Sequence, residues 1–272
     1  MEGIFLLRSD EICWIFMVWT KLIELERPRG KTEVAIAGFP GVANVGGQVQ
    51  SYLRSKLDGK PIARLYSEYL LLPGNVAGIL IEPNGEFSLP SVDFNLVTNK
   101  KGDSFVLVHS HVQPLPWGQL EIAHECIDYL KRLGVRRIVI VTGFAKSEEV
   151  GRVLVFGNDE EIVQRVKEAG GVENREIKTI IGLAGAFLAT IKKVGGLSFV
   201  SLTGVAEDSS YYDPRASRSV LEILNRVFDL GVDLRDLDEI IEHLEKIRRK
   251  VLEELEAQLS KPSEEESPSY VG

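Results

Sequence analysis

The 272-residue chain carries 40 acidic against 32 basic residues, for a net charge of −8. It has no basic stripe to neutralise phosphates, so nucleic acid is set aside as a partner. A hydrophobic fraction of 44% with 26% charge is that of a globular chain able to bury a full core, as one α/β domain with appendages. Cys13 and Cys126 are too few and too far apart for a disulfide framework or a cysteine zinc cluster, which fits a reducing cytoplasm.

Residues 1–18 form an N-terminal extension. The apolar run ICWIFMVW at 12–19 is too short to cross a bilayer. Only Arg8 precedes it as a positive charge, Asp10 and Glu11 flank it, and no A-x-A site follows, which argues against a secretory signal. An extra edge segment, or a start codon placed upstream of a true start at Met17, are the two readings left.

The body runs from 19 to 233. Residues 19–26 alternate imperfectly and predict an edge strand, ended by Arg27-Pro28-Arg29-Gly30. The stretch 34–57, VAIAGFPGVANVGGQVQSYLRSKL, is the centre of the design. Val34 to Ala37 read as a strand buried on both faces. Gly38, Pro40 and Gly41 make a tight turn. Val42, Val45, Val49, Leu53 and Leu57 then follow helical spacing. Gly46 is followed by Gly47 and Gln48 rather than Lys and Ser or Thr, so there is no Walker loop, and the glycines miss the G-x-G-x-x-G spacing. Gly38, Gly41 and Gly46 are read as small residues that let helix and sheet pack closely.

Strands are expected at 63–72 and 76–82, and the Asn84-Gly85 pair suggests a hairpin between 77–81 and 87–96. Residues 104–108 form another buried strand. A helix at 117–132 places Leu120, Ile122, Ala123, Cys126, Ile127 and Leu130 inward, with Gly134 as its C-cap glycine. Strands follow at 137–142, ending at Gly143, and at 153–156. Asn158 or Asp159 caps a helix at 160–169, stopped by Gly170-Gly171. The small-residue stretch 180–185, with Gly182 and Gly185, leads into an apolar helix at 186–193. The last strand spans 197–202, and Asp213-Pro214 starts a helix to about 230. Alternation of this kind predicts a mostly parallel sheet between helix layers.

Residues 234–259 change character. Leu237, Ile240, Leu244, Ile247 and Val251 follow the three-four spacing of a coiled-coil seam on a charged amphipathic helix, suited to its own domain, a sister subunit or a partner. Residues 260–272, SKPSEEESPSYVG, are a polar tail ending in Tyr270, Val271 and Gly272.

No catalytic set emerges. His109 and His111 stand two apart at a strand end, with Glu121 and His124 on the next helix. Two imidazoles without a third ligand at fixed local spacing do not define a metal site, and loop-bonded histidines are the simpler reading. Glu68, Glu82 and Asp93 lie near strand ends. The run 208–214 reads as a turn with a helix cap. No G-x-S-x-G or H-E-x-x-H motif is present, and no cofactor is called for.

Six motifs in order carry a family resemblance: AGFPGVANVGGQ (37–48), VQPLPWGQ (112–119), GVRRIVIVTGFA (134–145), FGNDEEI (156–162), IIGLAGAFLATIKKVG (180–195) and LSFVSLTGVAEDSSYYDPRAS (197–217). The chain resembles the proteasome assembly chaperone family, its archaeal homologues in particular, over about 34–247. The resemblance implies a phosphorylase-like three-layer α/β/α sandwich without catalytic residues. It also implies a homo-oligomer that acts by protein contact on proteasome subunits or a paralogous family member. Some relatives dock a C-terminal hydrophobic-Tyr-any motif on the proteasome ring. Here Tyr270 is third from the end and Val271 penultimate, one place out of that register.

The function expected is therefore an ATP-independent cytoplasmic chaperone or adaptor. The alternative is a phosphorylase-like enzyme that holds phosphate or a nucleoside at the glycine-rich loops.

Overall fold

The computed structural model describes residues 19–28, 30, 32–81, 85–209 and 212–259. The extension 1–18, Glu82 and the tail 260–272 with Tyr270, Val271 and Gly272 lie outside the described residues. The chain divides into two compact units, Met1–Asp233 and Leu234–Gly272.

The first unit is built on strand β2 (Val34–Gly38), in which Ala35, Ile36 and Ala37 are fully buried. A strand covered on both faces needs apolar side chains at odd and even positions alike, and the run VAIA supplies them. β2 lies between β7 (Ser104–Ser110) and β8 (Arg137–Ala145), parallel to both, and β8 is parallel in turn to β11 (Ser198–Ala206). These four strands are the parallel centre of the sheet. Antiparallel strands flank them: β6 (Ser91–Thr98), β3 (Lys60–Ser67) and edge strand β1 (Thr20–Glu24) on one side, and β9 (Val153–Gly157) with short β10 (Val172–Glu173) on the other. Among the described residues this gives one nine-stranded sheet in the order β1-β3-β6-β7-β2-β8-β11-β9-β10.

Helices cover both faces, so the expected α/β sandwich is found. Ala35 and Ala37 of β2 share a core with Ile122, Cys126, Ile127 and Leu130 of α2 (Gln119–Arg132) and Leu183 and Phe187 of α4 (Gly182–Val194). Helices α1 (Val45–Lys56) and α5 (Pro214–Phe228) pack together with the opposite face, and α3 (Glu160–Glu168) lies beside α5 and β9. Burial of one side chain such as Phe187, at 0% exposure, stabilises by about 1.5–3 kcal/mol.

Caps agree with the chain chemistry. The Asp159 carboxylate accepts from the Ile162 N–H at 3.2 Å, and the Asp213 carboxylate accepts from the Arg215 N–H at 3.1 Å. Gly134 ends α2 at φ +91°.

Some expectations change. The hairpin is only β4 (Leu80–Ile81) against β5 (Phe87–Ser88). Residues beyond it enter the main sheet as β6, because Val92, Phe94 and Val97 find core only there. The strand expected at 63–72 stops at Ser67, and Leu72 and Val76 make only an isolated bridge. Leu120 is exposed rather than inward: it shares a face with buried Ile127 seven residues on but stands in the first turn of α2. α4 begins at Gly182, so Gly182 to Gly185 belong to the helix and only Ile180 and Ile181 lead into it. β8 runs past Gly143 to Ala145 because β11 accompanies it through Ala206.

The second unit is described through α6 (Arg235–Leu259). It opens with Asp236 and Asp238 in its first turn, where the helix dipole favours acids.

Candidate functional site

The parallel strands β2, β7, β8 and β11 end at the same edge of the sheet, where α/β proteins commonly form clefts. The chain leaves β2 through Phe39-Pro40-Gly41 and turns through Val42–Asn44, with Ala43 and Asn44 left-handed at φ 48° and 50°. Such backbone costs about 1 kcal/mol or more per non-glycine residue. The turn seats the first residues of α1 directly on the strand ends. A Cβ at Gly46 would fall 2.7 Å from the Phe39 carbonyl oxygen and 2.8 Å from that of Val141, and one at Gly38 would fall 2.5 Å from the Gly46 carbonyl oxygen. A Cβ at Gly143 would meet the Val42 carbonyl oxygen at 2.2 Å. Backbone touches backbone here, with no room for side chains.

Gln113 ties this turn to the start of α4. Its side-chain amide donates to the Pro40 carbonyl, and its Oε1 accepts from the Leu183 N–H at 3.0 Å. Gly182 stands against the same side chain at φ +72°. Composition and periodicity do not single out Gln113; its place between Val112 and Pro114, in one of the six motifs that carry the family resemblance, is the only signal.

Two clefts flank the Pro40-Gly41 turn. One, of about 610 Å³, is mainly apolar, lined by Phe39, Val42, Pro116, Val141, Phe144 and Ile180 among others. Thr142 and Thr203 hydroxyls sit 2.7 Å apart in its wall. The other, of about 660 Å³, is lined by Asn44, Gly47, Ser51, His109, Ser110 and His111 beside the turn.

His109 lies opposite Gly38 in the β2–β7 register and is only 4% exposed; its ring makes no well-formed hydrogen bond among the described residues, although the Gly38 backbone stands close enough to act on it. Its pKa is depressed to about 3, chiefly by burial, then by His111 and Arg54, with the Gly38 backbone acting the other way. The ring is therefore neutral at ordinary pH. The exposed His111 stands edge-on, with ring centroids 4.4 Å apart and planes at 84°. Asn44 Oδ1 is also buried without a partner.

The other residues singled out by sequence are engaged elsewhere. Glu121 accepts from the Thr20 hydroxyl at 2.6 Å, and His124 pairs with Asp128 at 3.4 Å. Asp93 accepts from the Ser91 hydroxyl at 2.6 Å and lies 3.6 Å from Arg64. Ser110 donates to the Ser91 or Val112 carbonyl, each 2.9 Å away. Asp213 accepts from the Glu207 N–H at 2.9 Å and holds Arg215, raising the guanidinium pKa by their hydrogen bond. Among the described residues no group of three or more His, Cys, Asp or Glu is placed to hold a metal ion.

Large apolar side chains also stand in the open. Trp117, Leu120 and Ile181 are exposed at the starts of α2 and α4, as are Ile81 and Phe87 on the short hairpin. On α6, Leu237 is buried, whereas Ile240, Leu244, Ile247 and Val251 are 40–48% exposed.

Residues 35–254 match the model of the PAC2 family. The chain belongs to the PAC2 family. The solved structure of PbaB, an archaeal proteasome activator from Pyrococcus furiosus, superposes with a TM-score of 0.74 at 28% identity, covering 85% of this chain and 98% of that one. PbaA from the same organism, an archaeal homologue of proteasome-assembly chaperone, gives a TM-score of 0.70 at 24% identity over 88% and 94% of the two chains. An uncharacterized Methanocaldococcus jannaschii protein is 25% identical over 245 residues, or 87% of this chain and 91% of that one. PAC2 membership and these archaeal likenesses agree with the resemblance read from the six motifs. Among the described residues no helix is long and apolar enough to cross a membrane.

Proposed function

We propose that this PAC2 protein is a non-enzymatic, homo-oligomeric chaperone or adaptor, working in the cytoplasm by protein contact and without ATP. The observation that carries the reading is the open seam of α6. Ile240, Leu244, Ile247 and Val251 recur three or four apart and stay 40–48% exposed on a helix otherwise rich in charge. Such a stripe gains stability when a second apolar helix covers it, so it suits pairing with a sister subunit or a partner.

The partner class comes from kinship. Likeness to a proteasome activator and to a chaperone homologue supports proteasome subunits, or a paralogous family member, as the protein bound. Shielding apolar subunit surfaces before assembly, and yielding them to a larger native interface, needs only competing contacts. Tyr270, Val271 and Gly272 are the proposed tail contact. Gly38, Pro40, Gly41, Gly46, Gly182 and Gly185 are proposed as structural, serving close backbone approach and turn geometry.

Pull-down of proteasome α subunits tests this, with the full chain, the chain ending at Leu259, and Ile247→Asp/Val251→Asp. The full chain is expected to retain subunits, the truncated chain to retain fewer, and the double variant to lose its oligomer by sedimentation. Failure of full-length protein to capture either those subunits or a paralogue would overturn the proposal.

A further inference from the structure

We infer that the exposed start of α2, at Trp117 and Leu120, is the docking surface for the apolar segment 12–18 of the same chain, which lies outside the described residues. Strand β1 begins where β3 ends, with Thr20 opposite Ser67, at the edge of the sheet where β2, β7, β8 and β11 also end. Three hydrogen bonds bring the start of β1 and the start of α2 together there. The Glu68 N–H donates to the Trp19 carbonyl at 3.1 Å, the Leu115 N–H to the Tyr69 carbonyl at 2.8 Å, and the Thr20 hydroxyl to Glu121 at 2.6 Å. Tyr69 also packs so closely that a Cβ at Gly118 would fall 2.1 Å from its ring. The chain therefore reaches Thr20 from beside the first turn of α2.

Trp117, Leu120 and Glu121 form one outer stripe at helical spacing. Trp117 and Leu120 are 71% and 61% exposed, while Ile122, Ala123 and Cys126 fill the core. Segment 12–18, ICWIFMV, supplies the matching chemistry, without a single charged residue. Strand side chains alternate, so continuing β1 backward puts Val18, Phe16 and Trp14 on the side of Thr20 and Leu22. Leu22 packs against the core that α2 shares. Two extended residues rise about 6.6 Å and four helical residues about 6 Å. The step from Thr20 to Val18 thus matches the step from Glu121 to Trp117, and Val18 and Phe16 cover Leu120 and Trp117.

Tethering selects this occupant over a second copy, because a segment anchored at Thr20 meets the patch at high effective concentration. The tail 260–272 is polar, with three glutamates, and does not match an apolar patch. Pro116 and Gln119, the immediate neighbours of Trp117 and Leu120, line the apolar cleft of about 610 Å³, so the docked segment borders its mouth. This contact is independent of proteasome binding.

Photo-cross-linking of the full-length protein tests it. Benzoylphenylalanine replaces Trp117, an exposed position that spares the fold, and irradiated chains are separated by denaturing electrophoresis and mapped by mass spectrometry. Cross-links to residues 12–18 within a single-chain band are expected. A two-chain band joined at position 117, showing a second copy on the patch, or the absence of cross-links to 12–18 would each overturn the assignment. Dye binding gives a second readout. In the full chain, Phe16→Ser/Val18→Ser should raise anilinonaphthalenesulfonate fluorescence about threefold by uncovering the patch. Adding Trp117→Ser/Leu120→Ser should remove that rise. Unchanged or lower fluorescence in Phe16→Ser/Val18→Ser, as for a segment standing free in solvent, would overturn it as well.

Discussion

The starts of α1 and α4 look alike in sequence, each built on paired glycines among alanines and valines or leucines, yet they use those glycines differently. At α1 the glycines join separate elements, since Gly46 lies against the carbonyls of Phe39 and Val141 and Gly38 against that of Gly46. At α4 they serve a local turn: Gly182 takes φ +72°, and a Cβ at Gly185 would meet the carbonyl oxygen of neighbouring Ile180 at 2.3 Å. Small residues are thus one signal with two physical meanings. One is contact between backbones far apart in the chain, and the other is the geometry of a single helix end.

Substitutions at the two ends separate these meanings. Gly46→Ala should have the largest effect, about 3 kcal/mol or more of lost stability, because rigid carbonyls on two sides cannot move aside. Denaturant unfolding measures it directly. Gln113→Ala should cost about 2 kcal/mol by removing the bridge between the Pro40 carbonyl and the Leu183 N–H. Hydrogen exchange would then quicken at the start of α4 and leave the middle of α1 protected. Gly182→Ala should cost about 1–2 kcal/mol, from left-handed strain with only a flexible glutamine in the way. Gly41→Ala should change stability by no more than about 0.5 kcal/mol. Its φ of −174° suits any residue, and the nearest atom to a Cβ is 4.0 Å away. If Gly182→Ala proved costlier than Gly46→Ala in the same unfolding series, the distinction between the two ends would fail.

Where periodicity acts locally, the chain was legible. β2, β7, α2, α3 and α5 follow from apolar spacing and from Asp159, Asp213 and Gly134 as caps and stops. The seam on 234–259 was also legible, because one helix carries the whole pattern. The extent of the 77–96 hairpin was not. Val92 and Phe94 read equally well as a hairpin arm or a sheet strand, and only the presence of β3 and β7 on either side decides between them. The cleft was legible in part. His109 and His111 stood out by spacing, but the burial of His109 comes from the packing of α1 on β7.

The sequence by itself determined most strands and helices, the family to which they belong and the apolar spacing on α6. Each of these depends on side-chain pattern over a few turns or on motif order. The tertiary structure alone decided that antiparallel strands flank a parallel centre and that Gln113 bridges two glycine-rich turns. It alone buried His109 in one cleft with Gly47 and Ser51 of α1. Those facts join residues dozens of positions apart, and their geometry exists only once the sheet has brought the strand ends to a common edge.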